Sequence, residues 1–168
     1  MNGGQSMRGI RFKIPNKHGK SLYMILRNVG TSKSIWVIDA QDAFVSSDLT
    51  NLFDNELMNN VDFYNKINKK MYAVELRIRM YDKSEYTSES LLSHIDFVES
   101  KCQLAISIID VEFVSVYAKD HRMLKKLEKN AKKISTSEVE YITEENDNPD
   151  EYQFFHQDNE PVITVQFL

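Results

Sequence analysis

One cysteine, three prolines and five glycines in 168 residues leave several protein classes without material. Cys102 has no second thiol to pair with, which excludes the small disulfide-stapled secreted folds. The glycines never fall at G-x-G-x-x-G or G-x-x-x-x-G-K spacing, so no phosphate-cradling loop is encoded. His18, His94, His121 and His156 lie far apart and form neither H-x-H nor H-E-x-x-H, and no G-x-S-x-G elbow is present. These absences imply no cofactor and no metal. No run approaches the roughly 20 apolar residues that span a bilayer, which excludes a membrane partner read from helices. The first six residues have no apolar stretch of signal-peptide type, so the expected location is cytoplasmic.

What is present is aromatic and charged. Nine Phe and eight Tyr with so little Gly and Pro argue against general disorder, and the length fits one domain. Of 25 acids, nine lie between residues 138 and 160, and no Lys or Arg follows Lys133. The body before residue 138 therefore holds 16 acids against 21 bases, and the net charge of −4 divides into a basic body and an acidic end. Gly3-Gly4 implies a purine-rich tract just upstream of the Met7 codon. The expectation is that residues 1–6 are an unstructured leader and that the native chain starts at Met7.

Periodicity predicts an α+β domain over 7–143, with a mostly antiparallel or mixed sheet and helices on one face. Ile10, Phe12 and Ile14 alternate with charges and end at Pro15. Leu22, Ile25, Leu26 and Val29 predict a helix capped by Asn16 and stopped at Gly30. Ser34–Ile38 reads as a strand that Ala43-Phe44-Val45 extends or pairs with. Leu52, Phe53, Leu57 and Met58 suggest a short helix, and residues 60–69 a second one with Val61, Tyr64 and Ile67 inward. Met71–Tyr81 is a long strand with Glu75, Arg77 and Arg79 on a solvated face. Ser88–Val98 suggests a helix with Leu91, Leu92, Ile95 and Val98 inward. Leu104–Ile109 and Phe113–Tyr117 form a hairpin through Asp110-Val111-Glu112. Asp120 caps a helix seamed by Leu124, Leu127, Ala131 and Ile134. Val139–Ile142 is a short strand; 144–168 is an acidic linker in which Val162–Phe167 has strand character.

Few residues invite a chemical role. Asp39 with Asp42, and Asp110 with Glu112, are pairs at strand ends or turns, where acids ordinarily form turns. The 120–134 helix carries Arg122, Lys125, Lys126 and Lys129, a strip that fits an acidic surface or a nucleic-acid backbone. It has no aromatic residue to stack on bases, which disfavours nucleic acid. The opposite charge lies in Glu144, Glu145 and Asp147, so the acidic end is expected to meet that helix within one chain or across a homodimer. Pairs of this kind are individually worth roughly 0–1 kcal/mol.

Arg8-Gly9-Ile10 through Ile14-Pro15-Asn16, Cys102-Gln103-Leu104, Tyr117 with Lys119-Asp120, and Tyr141–Asp147 resemble an uncharacterised family of spore-forming Gram-positive bacteria, a domain of unknown function. The resemblance covers residues 7–147 and brings no activity, cofactor or site. With the catalytic vocabulary nearly empty, the sequence points to a non-enzymatic protein-binding module, an immunity- or antitoxin-like role being one version. The alternatives are an enzyme whose site is assembled from scattered residues, and nucleic-acid binding through the basic helix.

Overall fold

The computed structural model describes residues 6–147 and 154–155. Among them, strands β1 (Met7–Lys13), β2 (Ser34–Val45), β3 (Leu57–Asn59), β4 (Met71–Asp82), β5 (Leu104–Ile109), β6 (Phe113–Ala118) and β7 (Glu140–Thr143) form one antiparallel sheet. Their order is β3-β2-β4-β5-β6-β1-β7. The helices are α1 (Ser21–Leu26), α2 (Asn60–Ile67), α3 (His94–Glu99) and α4 (His121–Lys132). The expected single α+β domain is therefore what this chain adopts.

Period-two alternation gives the sheet two different faces. Ile10, Phe12, Trp36, Ile78, Ile106 and Val116 point to one side, where α1, α2 and α4 lay down Leu22, Ile25, Phe63, Leu124 and Leu127. Trp36 stacks on Phe63 with ring centroids 4.0 Å apart, and its Nε1 donates to Asn60 Oδ1 at 2.9 Å. Asn130 of α4 donates to the carbonyls of Ile25 and Arg27, satisfying the end of α1. Asp120 caps α4 by accepting from the backbone N–H groups of Arg122 and Met123. Val37, Tyr81, Ala105, Tyr117 and Ile142 point to the other face, which α3, the 83–103 connection and Phe154–Phe155 cover in part.

The hairpin expected at 104–117 turns through Asp110 and Val111 at φ 50° and 69°. A β-branched residue in that region is strained; the Val111 N–H donates to the Val74 carbonyl. Gly9 is required by close approach, since a Cβ there would overlap the Val116 carbonyl oxygen on β6. Along the outer edge of β7, the Asn146 side chain accepts from the Thr143 N–H at 2.7 Å and donates to the Tyr141 carbonyl at 2.9 Å.

Several elements differ from the expectation. Residues 52–58 give no helix: Leu52 and Phe53 are buried beneath a chain that runs beside β2 and ends in β3. Asp39 and Asp42 do not flank a strand end, because β2 continues through Val45 with register shifts at Ile38/Ala40 and Asp42/Ala43. α1 starts after Lys20 rather than at Asn16. In α2 the inward residues are Phe63 and Ile67 while Val61 is exposed, and Phe63 stacks on Trp36. The expected Ser88–Val98 helix shrinks to α3. A capping box between Ser93 and Asp96 fixes its start, and one and a half turns leave room for one inward side chain, Phe97. Leu92, Ile95 and Val98 consequently face solvent. The strand expected at Val162–Phe167 lies outside the described residues.

Candidate functional site

The largest departure from the sequence reading is Arg79. The alternation of β4 places it with Glu75 and Arg77 on a solvated face, yet it is 6% exposed. The bulge between Ile38 and Ala40 re-aims Asp39 toward it. Arg79 Nε and Nη2 donate to the two Asp39 oxygens, each at 2.7 Å, in a bidentate fork. Its Nη1 donates to the Tyr81 hydroxyl at 2.6 Å and to the Glu89 carbonyl at 3.0 Å. Tyr81 in turn donates to Glu89 Oε1 at 3.1 Å. Burial works against the guanidinium charge, but the bonds and charge of Asp39 outweigh it and hold Arg79 above its ordinary range. Burial also pushes the Tyr81 hydroxyl up.

A cleft of about 530 Å³ opens over this pair, floored by Asp39, Arg77 and Arg79 and walled by Leu91, Leu92 and Phe154. A second recess of about 240 Å³, reaching Glu56 and Tyr86, shares Asp39, Arg79 and Ser88 with it. Ser88 and Ser90 line the cleft, but among the described residues neither is hydrogen-bonded to a histidine or a carboxylate. Asp39 is bound by Arg79 and is not a free base. The arrangement suits binding, with a charge-balanced floor and an apolar wall, better than proton transfer.

Beyond the cleft, the same face carries further paired polar groups beside its apolar cluster. Ser107 and Ser115 share a hydrogen bond of 2.7 Å across the β5–β6 hairpin, both buried. Asp147 receives the Tyr117 hydroxyl at 2.8 Å and Arg8 Nη1 at 2.9 Å. Arg11 grips both oxygens of Glu140. His94 lies against Tyr117 and Phe97, and burial with the nearby Arg8 lowers its pKa despite Asp147. Cys102 is buried, its thiol pushed up to about 12 by burial, so it is a packing residue and not a nucleophile. Among the described residues, no group of three or more His, Cys, Asp or Glu could hold a metal ion, and no helix is long and apolar enough to cross a membrane.

The sequence-selected residues are not brought together. Arg122, Lys125, Lys126 and Lys129 are exposed on α4. Lys125 donates to the Tyr141 hydroxyl at 3.0 Å and Lys126 to the Asn28 carbonyl at 2.8 Å. Glu144 and Glu145 are exposed, and Asp147 turns to Arg8 and Tyr117 instead of α4. What sequence reasoning passed over is the parity of Tyr81 with Arg79, a large aromatic residue continuing a supposedly wet face. It placed inward, equally, an apolar trio that faces out: Leu92, which lines the cleft, and Ile95 and Val98 of α3 are 60%, 67% and 56% exposed.

Residues 7–153 match a family described as "Protein of unknown function (DUF2691)". The chain belongs to this family. It is 31% identical over 147 residues to "Uncharacterized protein YncE" of Bacillus subtilis (strain 168), a match that covers 83% of this chain and 94% of the relative. The Gram-positive family expected from the sequence is thereby confirmed, and the match to DUF2691 takes in β1 to β7 and the cleft residues other than Phe154. No solved structure matches the chain.

Proposed function

We propose that the protein is a non-enzymatic, cytosolic protein-binding module whose partner docks on the rim of the Arg79 cleft. The observation that carries this reading is the exposure of Leu92, Ile95 and Val98 on one short stretch beside a preformed cleft. Exposed apolar side chains grouped on one short stretch are a common mark of an interaction site. The Ser93–Asp96 capping box and the anchor Phe97 hold them in place, so little ordering is needed on association. Residues 84–100 contain Glu85, Glu89, Asp96 and Glu99 and no Lys or Arg, which suits a partner with a cationic surface, as an antitoxin-like role requires.

The test is a photo-crosslinking residue placed at Ile95 in cells of the native host, with a matched one at the exposed Val61 as reference. The expected result is a discrete adduct from position 95 alone, lost on Leu92→Glu. Equal labelling from both positions, or none from position 95, overturns the reading.

A further inference from the structure

A second cleft, of about 520 Å³, lies at the far end of the sheet between the turn after β2 and the end of α2. It is lined by Lys20, Ser46, Ser47, Asn68, Lys69 and Lys70. We propose that this cleft binds a phosphate-bearing small anion. Lys20, Lys69 and Lys70 all line it, and among the described residues none of them is in an ion pair; Lys66, one turn earlier, is taken up by Asp54. The single acid on the wall, Asp48, accepts from the Thr50 N–H and hydroxyl on its Oδ1, and with Lys69 these hold its carboxyl below the usual range. Ser46, Ser47 and Asn68 add hydrogen-bonding groups for phosphate oxygens.

The walls are already in position. Ser46 N–H donates to the Lys70 carbonyl at 2.9 Å, Leu49 N–H closes the turn on Val45, and Lys20 Nζ reaches Asn68 Oδ1. Ser46 also bonds His18 Nδ1 at 2.7 Å, which seats the imidazole against Tyr72 with centroids 4.8 Å apart and near Phe44. A row of half-exposed rings next to a cationic cleft provides a place for a planar group carried on the same phosphate.

Amide chemical shifts followed during titration with inorganic pyrophosphate test this. Shifts should concentrate at Ser46, Ser47, Lys69 and Lys70. The triple variant Lys20→Gln, Lys69→Gln, Lys70→Gln, all surface positions, should weaken binding by about tenfold or more. Lys129→Gln on α4 should leave it unchanged. A parallel titration with adenosine diphosphate separates the sources: tighter binding than pyrophosphate assigns a nucleotide, and equal binding assigns the phosphate group alone. Absence of shifts at millimolar pyrophosphate, or an unaltered affinity in the triple variant, overturns the proposal. So does a single-stranded oligonucleotide that binds through these lysines more tightly than either small anion.

Discussion

The two faces of the sheet are held by different physics. Toward α1, α2 and α4 the contacts are aliphatic and aromatic, non-directional, and proportional to the area removed from water. Toward α3 a smaller apolar cluster that includes Val37, Phe97, Ala105 and Ile142 is interleaved with Arg79, Ser107, Ser115, Tyr81 and Tyr117, each of which has a named hydrogen-bond partner. A polar network of this kind tolerates few rearrangements, because a shift leaves buried groups unpaired. The face under α1, α2 and α4 therefore holds the larger apolar core, and the opposite face adds a directional network around its cleft.

Substitutions that separate these roles should rank accordingly. Trp36→Ala removes the ring at the centre of the aromatic stack and should cost about 3–5 kcal/mol in urea unfolding. Asp39→Ala leaves Arg79 buried and uncompensated and should cost about 3 kcal/mol, the low end for such pairs because Asp39 is 29% exposed. The double variant Asp39→Leu, Arg79→Met should recover most of that loss while changing the cleft, which crosslinking from position 95 would register. Ser107→Ala orphans the Ser115 hydroxyl at about 1–2 kcal/mol, and adding Ser115→Ala should return stability close to the parent. If the double variants stay as damaged as the singles, the polar face contributes stability of its own and the contrast fails.

The smallest effect is a pH dependence. The folded His94 imidazole binds a proton less readily than in the unfolded chain, where its pKa is near 6.5. The unfolded state takes up the proton first, so stability present above that pH is lost as pH falls below it. The urea midpoint should drop from neutral pH to about 5.5, and His94→Phe should flatten the drop. Arg8 and Asp147 are the charges facing this ring, so Asp147→Asn should steepen it.

Much of the fold was legible from the chain. β1, the β5–β6 hairpin and α4 with its Asp120 cap follow from local alternation, turn residues and helical spacing, all properties of neighbouring residues. The misreadings have two causes, one distant and one local. Whether a charge on an alternating strand meets water depends on which distant segment crosses over it, and for Arg79 that segment is the 83–103 connection. Asp39 is forty residues away on another strand and is aimed by a bulge, and no spacing rule links the two. α3 was overextended because Leu91, Leu92, Ile95 and Val98 fit a helical stripe, whereas the cap at Ser93 rotates the short helix about Phe97.

Asn146 carries one last consequence. By accepting from the Thr143 N–H and donating to the Tyr141 carbonyl, its amide occupies the groups an eighth strand would need at that edge, and Glu140 and Arg11 hold the residue in place. A single side chain thus serves as a stopper, and the sheet has a built-in terminus there. Recruitment of a second protein, or a second copy, by strand addition along β7 would first have to evict this amide. Asn146→Leu, isosteric but unable to bond, should turn a self-limiting edge into one that polymerises with rising concentration.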